Sequence, residues 1–209
     1  MSTLRIPRKA KEALLPDPVM SVLLSDITLN FPPSKGSVYE DLIEAIVYQQ
    51  ISIKAAKSIF ERFCAHFGGS VPVKEDLAYA EITEMRSLGL SNQKAQYVKN
   101  IATFFLERNL VHEQLERMDD QALIDLLTEI KGVGIWTAQM ILIFSLVRPD
   151  IFPVKDYGIQ TAMQELYSVG SSSPRAMTQE MEKIALAWKP YRTYGTLLLW
   201  GWKRKQMNL

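Results

Sequence analysis

Cysteine and histidine are scarce in this chain of 209 residues, and neither sign of charge dominates. The single cysteine excludes an internal disulfide and a four-cysteine iron–sulfur cluster. With only two histidines beside it, a zinc site of the Cys/His type cannot be assembled either. Lys and Arg total 24 against 23 Asp and Glu, a net charge of +1, whereas proteins that bind nucleic acid are often strongly basic. Composition therefore predicts no iron–sulfur or zinc cofactor and argues mildly against a nucleic-acid partner.

Long hydrophobic runs are also missing. The apolar segment at residues 140–147 is far shorter than the roughly 20 residues that span a bilayer. Basic residues such as Arg8 and Lys9 stand near the beginning, but the apolar core of a signal peptide does not follow them. A lone cysteine fits a reducing compartment. We therefore expect an intracellular protein, in the cytoplasm or at the nucleoid, that does not engage a membrane.

What the sequence does have is helical spacing of its apolar residues, without alternation of the strand type. Ser37 and Glu40 have the spacing of a capping box, Ser52 is the expected N-cap of the next helix, and Ser91 begins a third that runs to Arg108. The sequence predicts an all-α protein whose 47% apolar residues fill one compact domain or two small lobes. One predicted apolar stripe consists of Ile53, Ala56, Ile59, Phe60, Phe63 and Phe67. Further helices are predicted at about residues 16–26, 74–80, 119–130, 135–148, 157–167, 178–188 and 191–204.

The segment Gly132-Val133-Gly134 lies between two of these helices. Glycines accept dihedrals that other residues avoid, and they let bare backbone approach another surface. The amides that begin the second helix then point outward with the positive end of the helix dipole behind them, which suits a phosphate oxygen. A Gly-x-Gly before a helix is equally common in ordinary helical turns, so this segment alone leaves both interpretations open.

The longer pattern around these glycines resembles the helix-hairpin-helix superfamily of DNA glycosylases. It runs Leu-x-x-Ile-x-Gly-Val-Gly-x-x-Thr-Ala over residues 127–138, with Asp156 twenty residues beyond Trp136. Residues 46–56 resemble the glutamine-containing helix junction of that superfamily, and residues 88–95 its second, shorter turn. Residues 188–200 resemble the C-terminal part of the 3-methyladenine DNA glycosylase II branch. These segments occur in the same order as in the family and cover roughly residues 37–202.

The resemblance implies a monofunctional DNA glycosylase of base excision repair, which flips an alkylated purine out of duplex DNA and hydrolyses its N-glycosidic bond. It implies two helical lobes, one of about residues 38–148 and the other of residues 1–37 with 149–209, and a cleft between them that receives the base. The partner would be damaged double-stranded DNA, and one duplex per chain favours a monomer. Two alternatives stay open: a non-catalytic helix-hairpin-helix module that grips DNA for another enzyme, and a helical protein–protein scaffold.

Asp156 is the catalytic residue that the resemblance implies. Cleavage of an N-glycosidic bond builds positive charge at the sugar carbon, as in glycoside hydrolysis. A nearby carboxylate stabilises that charge and can position or deprotonate water. Asp156 also stands where a loop becomes a helix, so a purely structural N-cap is the competing interpretation. The adjacent Lys155 is expected at the surface or on a phosphate.

Trp136 stands where bifunctional members of the superfamily carry a lysine that attacks the sugar through a Schiff base. Because an indole cannot do this, the resemblance implies hydrolysis without strand cleavage. The electron-rich face of Trp136 suits a cationic base, and Trp200 matches a second aromatic residue of the family's base pocket. Met140, one helical turn past Trp136, and Tyr157 complete the predicted pocket. Ordinary core packing is the alternative for both tryptophans.

The resemblance also assigns the contacts with DNA. Gln50 would fill the gap left by the flipped base, with Ile51 as the second candidate and Gln49 in support. The alternative for the two glutamines is bonding to backbone at a helix end. The predicted phosphate contacts are Gly132, Val133, Gly134 and Thr137. Local positive charge is expected from Lys94, Lys99 and the run Lys203-Arg204-Lys205.

No organic cofactor is expected. The resemblance implies at most a structural Na⁺ or K⁺ held by backbone carbonyl groups of the hairpin, for which Thr128, Ile130 and Val133 are the nearest equivalents. The side chains of these residues are poor ligands, so the sequence itself neither supports nor excludes the cation.

Overall fold

The computed structural model describes residues 2–3, 5–31, 37–170 and 173–207. In this part of the chain the regular structure is almost entirely α-helical, which confirms the predicted all-α class. The exception is a pair of antiparallel two-residue strands, β1 (Ser2–Thr3) and β2 (Asn30–Phe31). A 3-10 helix spans Leu186–Trp188. The α-helices are α1 (Arg8–Leu14), α2 (Pro18–Asp26), α3 (Val38–Tyr48), α4 (Ile53–His66), α5 (Lys74–Tyr79), α6 (Ile82–Ser87), α7 (Asn92–Glu107), α8 (His112–Glu116), α9 (Asp120–Thr128), α10 (Ile135–Phe144), α11 (Tyr157–Tyr167), α12 (Pro174–Ala185) and α13 (Arg192–Gln206).

The chain forms two compact units, one of Met1–Pro33 with Leu142–Leu209 and the other of Ser34–Ile141. The base-binding cleft expected between two lobes stays a prediction. Among the described helices, none combines the length and the apolar character needed to cross a membrane.

Helix α7 is central to the unit Ser34–Ile141, where it packs against α3, α5 and α6. Its buried face consists of Ala95, Val98, Ile101, Ala102 and Phe105, as helical spacing predicts. Full burial of each of the larger side chains, Val98, Ile101 and Phe105, stabilises the fold by about 1.5–3 kcal/mol. Helix α7 is therefore firmly fixed, and the turns that touch its exposed side rest on a rigid support.

Asp17 ties together the core of the other unit. Its Oδ1 caps α2 by accepting from the amides of Val19 and Met20 at 2.9 and 3.1 Å. Its Oδ2 accepts from the hydroxyl of Tyr167 and from the indole N–H of Trp188, both at 2.9 Å. Trp188 is fully buried, and burial together with the Asp17 charge raises the pKa of Tyr167. One carboxylate thus joins α2, α11 and the 3-10 helix.

The predicted helix starts at Ser37, Ser52 and Ser91 are confirmed, but only the last two serines cap their helices through the side chain. Ser52 and Ser91 cap α4 and α7, accepting from amides at 3.3 and 3.2 Å. Ser37 precedes α3, but the structure shows no bond from its side chain to the helix amides of the described residues. The Val38 amide donates instead to Nδ1 of His112 at 3.4 Å. The predicted side-chain cap at Ser37 is therefore not formed, and the first amide of α3 is bonded to α8.

Some boundaries also differ from the predictions. Helix α10 ends at Phe144 rather than 148, and the chain beyond it reaches a left-handed backbone at Val147, φ +52°. Helix α12 begins at Pro174 rather than 178, because Ser173 caps it. Ile53, predicted in the buried stripe, is 80% exposed because it is the first residue of α4 and precedes the buried face. The short helices α1, α6 and α8 were not predicted, since one or two turns give little periodicity.

Candidate functional site

Asp156 is the N-cap of α11. Its Oδ1 accepts hydrogen bonds from the amide of Ile159 and from the indole N–H of Trp200, each at 2.9 Å. Asp156 therefore does have the N-cap role that was the alternative to catalysis. The N-cap role and a catalytic role are compatible in one carboxylate. Two N–H donors and the positive end of a helix dipole suit a negative charge at this point. The side chain is half-buried, so Asp156 presents an anion of fixed orientation that is not sealed inside the core.

Trp200 has contacts that the sequence did not predict. Besides its bond to Asp156, its ring stacks on Phe144, with centroids 5.9 Å apart and an interplanar angle of 12°. Gly158 makes room for the pair, because an added Cβ there would lie 3.1 Å from Asp156 Oδ1 and 3.3 Å from Trp200 Cδ1. Trp200 therefore orients the carboxylate. Its assignment to the wall of a base pocket stays a prediction.

Tyr157 and Lys155 flank Asp156 in the sequence, and both are exposed. The Tyr157 side chain is 80% exposed, which is unusual for a large aromatic residue. The ring can therefore meet a stacking partner, as the predicted base pocket requires. Lys155 lies at the surface, as expected.

The two glycines of the hairpin have different tasks. Gly132 has φ +113°, and an added Cβ would lie 2.3 Å from Cγ of Tyr97, so both its backbone and its packing require glycine. Gly134 is exposed and does not have a positive φ. Within the described residues, an added Cβ at Gly134 would meet no heavy atom within 4 Å beyond its chain neighbours. Gly132 thus shapes the turn, whereas Gly134 leaves its outer side bare.

Val133 and Thr137 belong to the inner side of the hairpin. Val133 is buried, and its amide donates to the Ile130 carbonyl at 2.9 Å. Thr137 is also buried, and its Oγ1 accepts from Gln49 Nε2 at 3.5 Å. Their side chains therefore support the turn, and any phosphate contact at Thr137 is left to its amide. Gln49 takes the supporting position expected of it.

The wedge turn, residues 49–51 between α3 and α4, carries the residues predicted to enter the duplex. Gln50 is exposed and has φ +57°, a left-handed conformation that costs energy for a residue other than glycine. Ile51 is 39% exposed and Ile53 is 80% exposed. Exposed aliphatic side chains next to a strained glutamine fit a surface that meets a partner, although insertion by Gln50 or Ile51 stays a prediction.

Trp136 is not a core residue. Its side chain is 45% exposed at the start of α10, and Ile135 beside it is 53% exposed. Met140 lies one turn further along the helix and is half-buried. The core-packing alternative is thus excluded for Trp136, while fully buried Trp188 shows what a core tryptophan looks like in this chain.

Two lysines predicted to supply positive charge for DNA are engaged elsewhere. Lys94 donates from Nζ to the Val47 carbonyl at 2.7 Å, and Lys99 donates to the Ala80 carbonyl at 2.8 Å. Both side chains are half-buried, and burial lowers the pKa of Lys94. Each lysine therefore holds the carbonyl end of a helix, and a contribution of their charge to phosphate binding stays a prediction.

The carbonyl groups at the end of α9 fit a monovalent cation in their chemistry. Thr128 is the last residue of α9, so its carbonyl is among those without a partner inside the helix. The Ile130 carbonyl already accepts from Val133, but a carbonyl oxygen has two lone pairs. Oxygen donors are the appropriate ligands for a hard cation. Binding of Na⁺ or K⁺ stays a prediction.

Residues 43–186 match the HhH-GPD superfamily of base excision DNA repair proteins. The chain belongs to this superfamily. It is 28% identical to the DNA-3-methyladenine glycosidase of Bacillus halodurans, whose crystal structure it matches with a TM-score of 0.86 over 100% of this chain and 95% of that one. It is 31% identical to the 3-methyladenine DNA glycosylase Mag1 of Schizosaccharomyces pombe, solved in complex with abasic DNA. That match has a TM-score of 0.79 and covers 96% of this chain and 97% of the other.

These comparisons confirm the family predicted from the sequence, within its 3-methyladenine DNA glycosylase branch. The chain is also 31% identical over 170 residues to YfjP of Bacillus subtilis, a match that covers 78% of this chain and 58% of YfjP. The superfamily match ends at residue 186. Trp200, which donates to Asp156, therefore lies outside the matched residues of this HhH-GPD protein.

Proposed function

We propose that this protein is a monofunctional DNA glycosylase that flips alkylated purines out of duplex DNA and hydrolyses their N-glycosidic bond. Membership of a base excision repair superfamily supports the enzyme class. The observation that carries the reaction type is the Asp156 carboxylate, which the Ile159 amide and the Trp200 indole hold in one orientation. A module that only binds DNA has no need of an oriented anion near a phosphate-rich partner. The catalytic alternative is therefore favoured.

Asp156 acts on the sugar in this proposal. As the bond between the sugar carbon and the base nitrogen lengthens, positive charge builds on the sugar. The carboxylate opposes that charge, and its N–H donors keep it in place so that little reorganisation is needed. It also positions or deprotonates the attacking water. Alkylated purines such as 3-methyladenine are cationic, or easily protonated, while they are attached to the sugar. They take the bonding electron pair and leave as neutral bases, so a separate general acid is not required.

In this proposal Trp136 accounts for the absence of strand cleavage and for the preference for cationic bases. It occupies the hairpin position where a lysine would form a Schiff base, so the reaction ends with an abasic site and an intact strand. Its exposed indole face stacks on the flipped base and favours cationic ones. Trp200, Met140 and Tyr157 are the other proposed pocket residues, with Trp200 also orienting Asp156.

The hairpin and the wedge turn are the proposed contacts with damaged duplex DNA. Gly134 and the first amides of α10 meet phosphate oxygens, since the outer side of Gly134 is bare. Gln50 fills the gap in the duplex, with Ile51 beside it. The abasic DNA bound to the Schizosaccharomyces pombe relative supports this partner. One duplex per chain makes a monomer the proposed state, with Na⁺ or K⁺ at the Thr128, Ile130 and Val133 carbonyls as the proposed ion.

The direct test is release of free base from methylated duplex DNA by the purified protein. We expect 3-methyladenine and 7-methylguanine in the supernatant, and no covalent adduct when borohydride is added. DNA binding without base release would favour the non-catalytic module instead. A trapped adduct would show that another residue performs the lyase chemistry that Trp136 cannot.

A further inference from the structure

Three polar side chains of α7 lie in one oblique row along the helix. Lys94, Tyr97 and Asn100 follow one another at intervals of three residues, which places them along a single stripe. This stripe does not belong to the buried core face of the helix. Tyr97 and Asn100 contact the hairpin turn, and Lys94 contacts the last turn of α3, directly before the wedge turn. All of these groups lie within the unit Ser34–Ile141.

Lys94 supports the wedge turn. Its Nζ donates to the carbonyl of Val47 at 2.7 Å, in the last turn of α3, where carbonyl groups lack helical partners. Three residues later Gln50 takes its left-handed conformation, which persists only where the surroundings fix it. Gln49 between them is held by Thr137. The backbone that presents Gln50 is therefore fixed from two sides.

Tyr97 and Asn100 support the hairpin turn, residues 129–134. The ring of Tyr97 lies directly against Gly132, where no Cβ fits. Asn100 donates from Nδ2 to the carbonyl of Lys131 at 3.0 Å. The turn thus has one face against α7, while Gly134 is on its bare side.

Two glutamines orient these supports. Gln93 donates to the Tyr97 hydroxyl at 2.6 Å, and Gln96 donates to Asn100 Oδ1 at 3.0 Å. Both pairs are separated by four residues, the spacing at which helical side chains meet. Because Gln96 binds the amide oxygen of Asn100, the amide nitrogen is turned towards Lys131. These half-buried polar residues of α7, Tyr97 and Asn100, are thereby organised to hold backbone rather than to face solvent.

We propose that Lys94, Tyr97 and Asn100 are positioning residues, through which α7 holds the wedge turn and the hairpin turn in one fixed register. This inference rests on the proposed function. Insertion of Gln50 and the grip of the hairpin on phosphate must then occur together, so loss of either support uncouples them. Lys94 serves base flipping, whereas Asn100 serves the general hold on DNA. None of the three residues is assigned a contact with the reacting atoms in the proposed function.

Lys94→Met tests the wedge support, and Lys99→Met is its matched control. Lys99 lies on the same helix, is similarly half-buried and holds the carbonyl end of α5 with a bond of 2.8 Å. Single-turnover base release is measured on methylated duplex and on methylated single-stranded DNA, with 2-aminopurine fluorescence beside the lesion as a report of flipping. We expect Lys94→Met to slow release from duplex by roughly 10- to 100-fold, with single-stranded release and affinity for undamaged duplex near wild type. Lys99→Met should keep the wild-type ratio of duplex to single-stranded release, and Lys94→Arg should recover much of the loss.

Equal losses on the two substrates, or equal behaviour of the two Met variants, would overturn the proposal. If Lys94→Met does not fold, Asn100→Leu decides instead, because it should weaken binding to lesion and undamaged duplex by the same factor. Wild-type affinity in folded Asn100→Leu would also overturn it. Failure of the proposed function looks different, since the wild-type protein would then release base from neither substrate.

Discussion

The surroundings of Asp156 and the hairpin turn are constructed by opposite means. At Asp156 the important groups are side chains, a carboxylate bonded by an indole that is itself stacked on Phe144. At the hairpin the outward-facing part is bare backbone at Gly134, and the side chains that matter hold the turn from behind. Chemistry on a sugar needs a charge that stays in place, whereas a grip on phosphate needs amides that nothing covers. The difference yields predictions that separate the two regions.

The largest effect is expected at the carboxylate. Asp156→Asn should lower the rate of base release by roughly 100- to 1,000-fold, because the charge opposing the sugar cation is lost while an N-cap remains. Affinity for DNA and the unfolding midpoint should stay close to wild type. The measurement is single-turnover release from methylated duplex.

Asp119→Asn is the control for this change. Asp119 caps α9 by accepting from the amides of Gln121 and Ala122 at 2.9 and 3.4 Å, so it makes a comparable cap without a proposed role in the reaction. Activity in Asp119→Asn should be unchanged. Near-normal release by Asp156→Asn would remove Asp156 from catalysis and leave it as a cap.

Substitutions of the two hairpin glycines should have different effects, one on stability and the other on DNA binding. Gly132→Val should destabilise the fold by roughly 2–5 kcal/mol, because valine cannot accept φ +113° and would overlap Tyr97. Gly134→Val should fold normally and bind all duplexes more weakly, since a side chain would stand where backbone meets phosphate. Thermal unfolding and affinity for undamaged duplex distinguish the outcomes. Unchanged affinity in folded Gly134→Val would mean that this side of the hairpin does not face DNA.

Sequence reasoning succeeded where the information is local. Helical spacing predicted the buried face of α7, and Ser52 and Ser91 correctly predicted where α4 and α7 begin. It could not predict that Trp200 bonds Asp156 from 44 positions away, nor that Gly132 and not Gly134 needs a left-handed backbone. A lysine such as Lys94 shows its charge in the sequence, but only tertiary packing decides that it binds a carbonyl.

Trp136 is an exception to this contrast between side chains at Asp156 and bare backbone at the hairpin. It is an exposed side chain next to the hairpin. Stacking of a base on an aromatic ring contributes about 1–3 kcal/mol. Trp136→Ala should therefore slow release of cationic 3-methyladenine and 7-methylguanine by about tenfold to a hundredfold, and of neutral hypoxanthine by less. Ile135→Ala, at a similarly exposed neighbour, is the matched control. Equal losses on charged and neutral bases would leave Trp136 without a cation–π role.

The smallest effect is expected at Trp200. Its substitution tests whether this side chain acts by orienting Asp156 or by binding the base. Trp200→Phe keeps an aromatic ring to stack on Phe144 but removes the N–H that donates to Asp156. The Ile159 amide still holds the same oxygen, so the carboxylate should lose part of its orientation and none of its charge. A hydrogen bond to a charged group contributes about 1.5–3 kcal/mol, and because the remaining donor keeps part of the orientation, we expect kcat to decrease by only about threefold to tenfold. If Trp200 acts through Asp156, the Asp156→Asn and Asp156→Asn/Trp200→Phe variants should have the same residual rate, because the indole then has no carboxylate to orient. Additive losses in the double variant would show that Trp200 contributes directly to base binding, as the family resemblance implies, and that its bond to Asp156 is incidental.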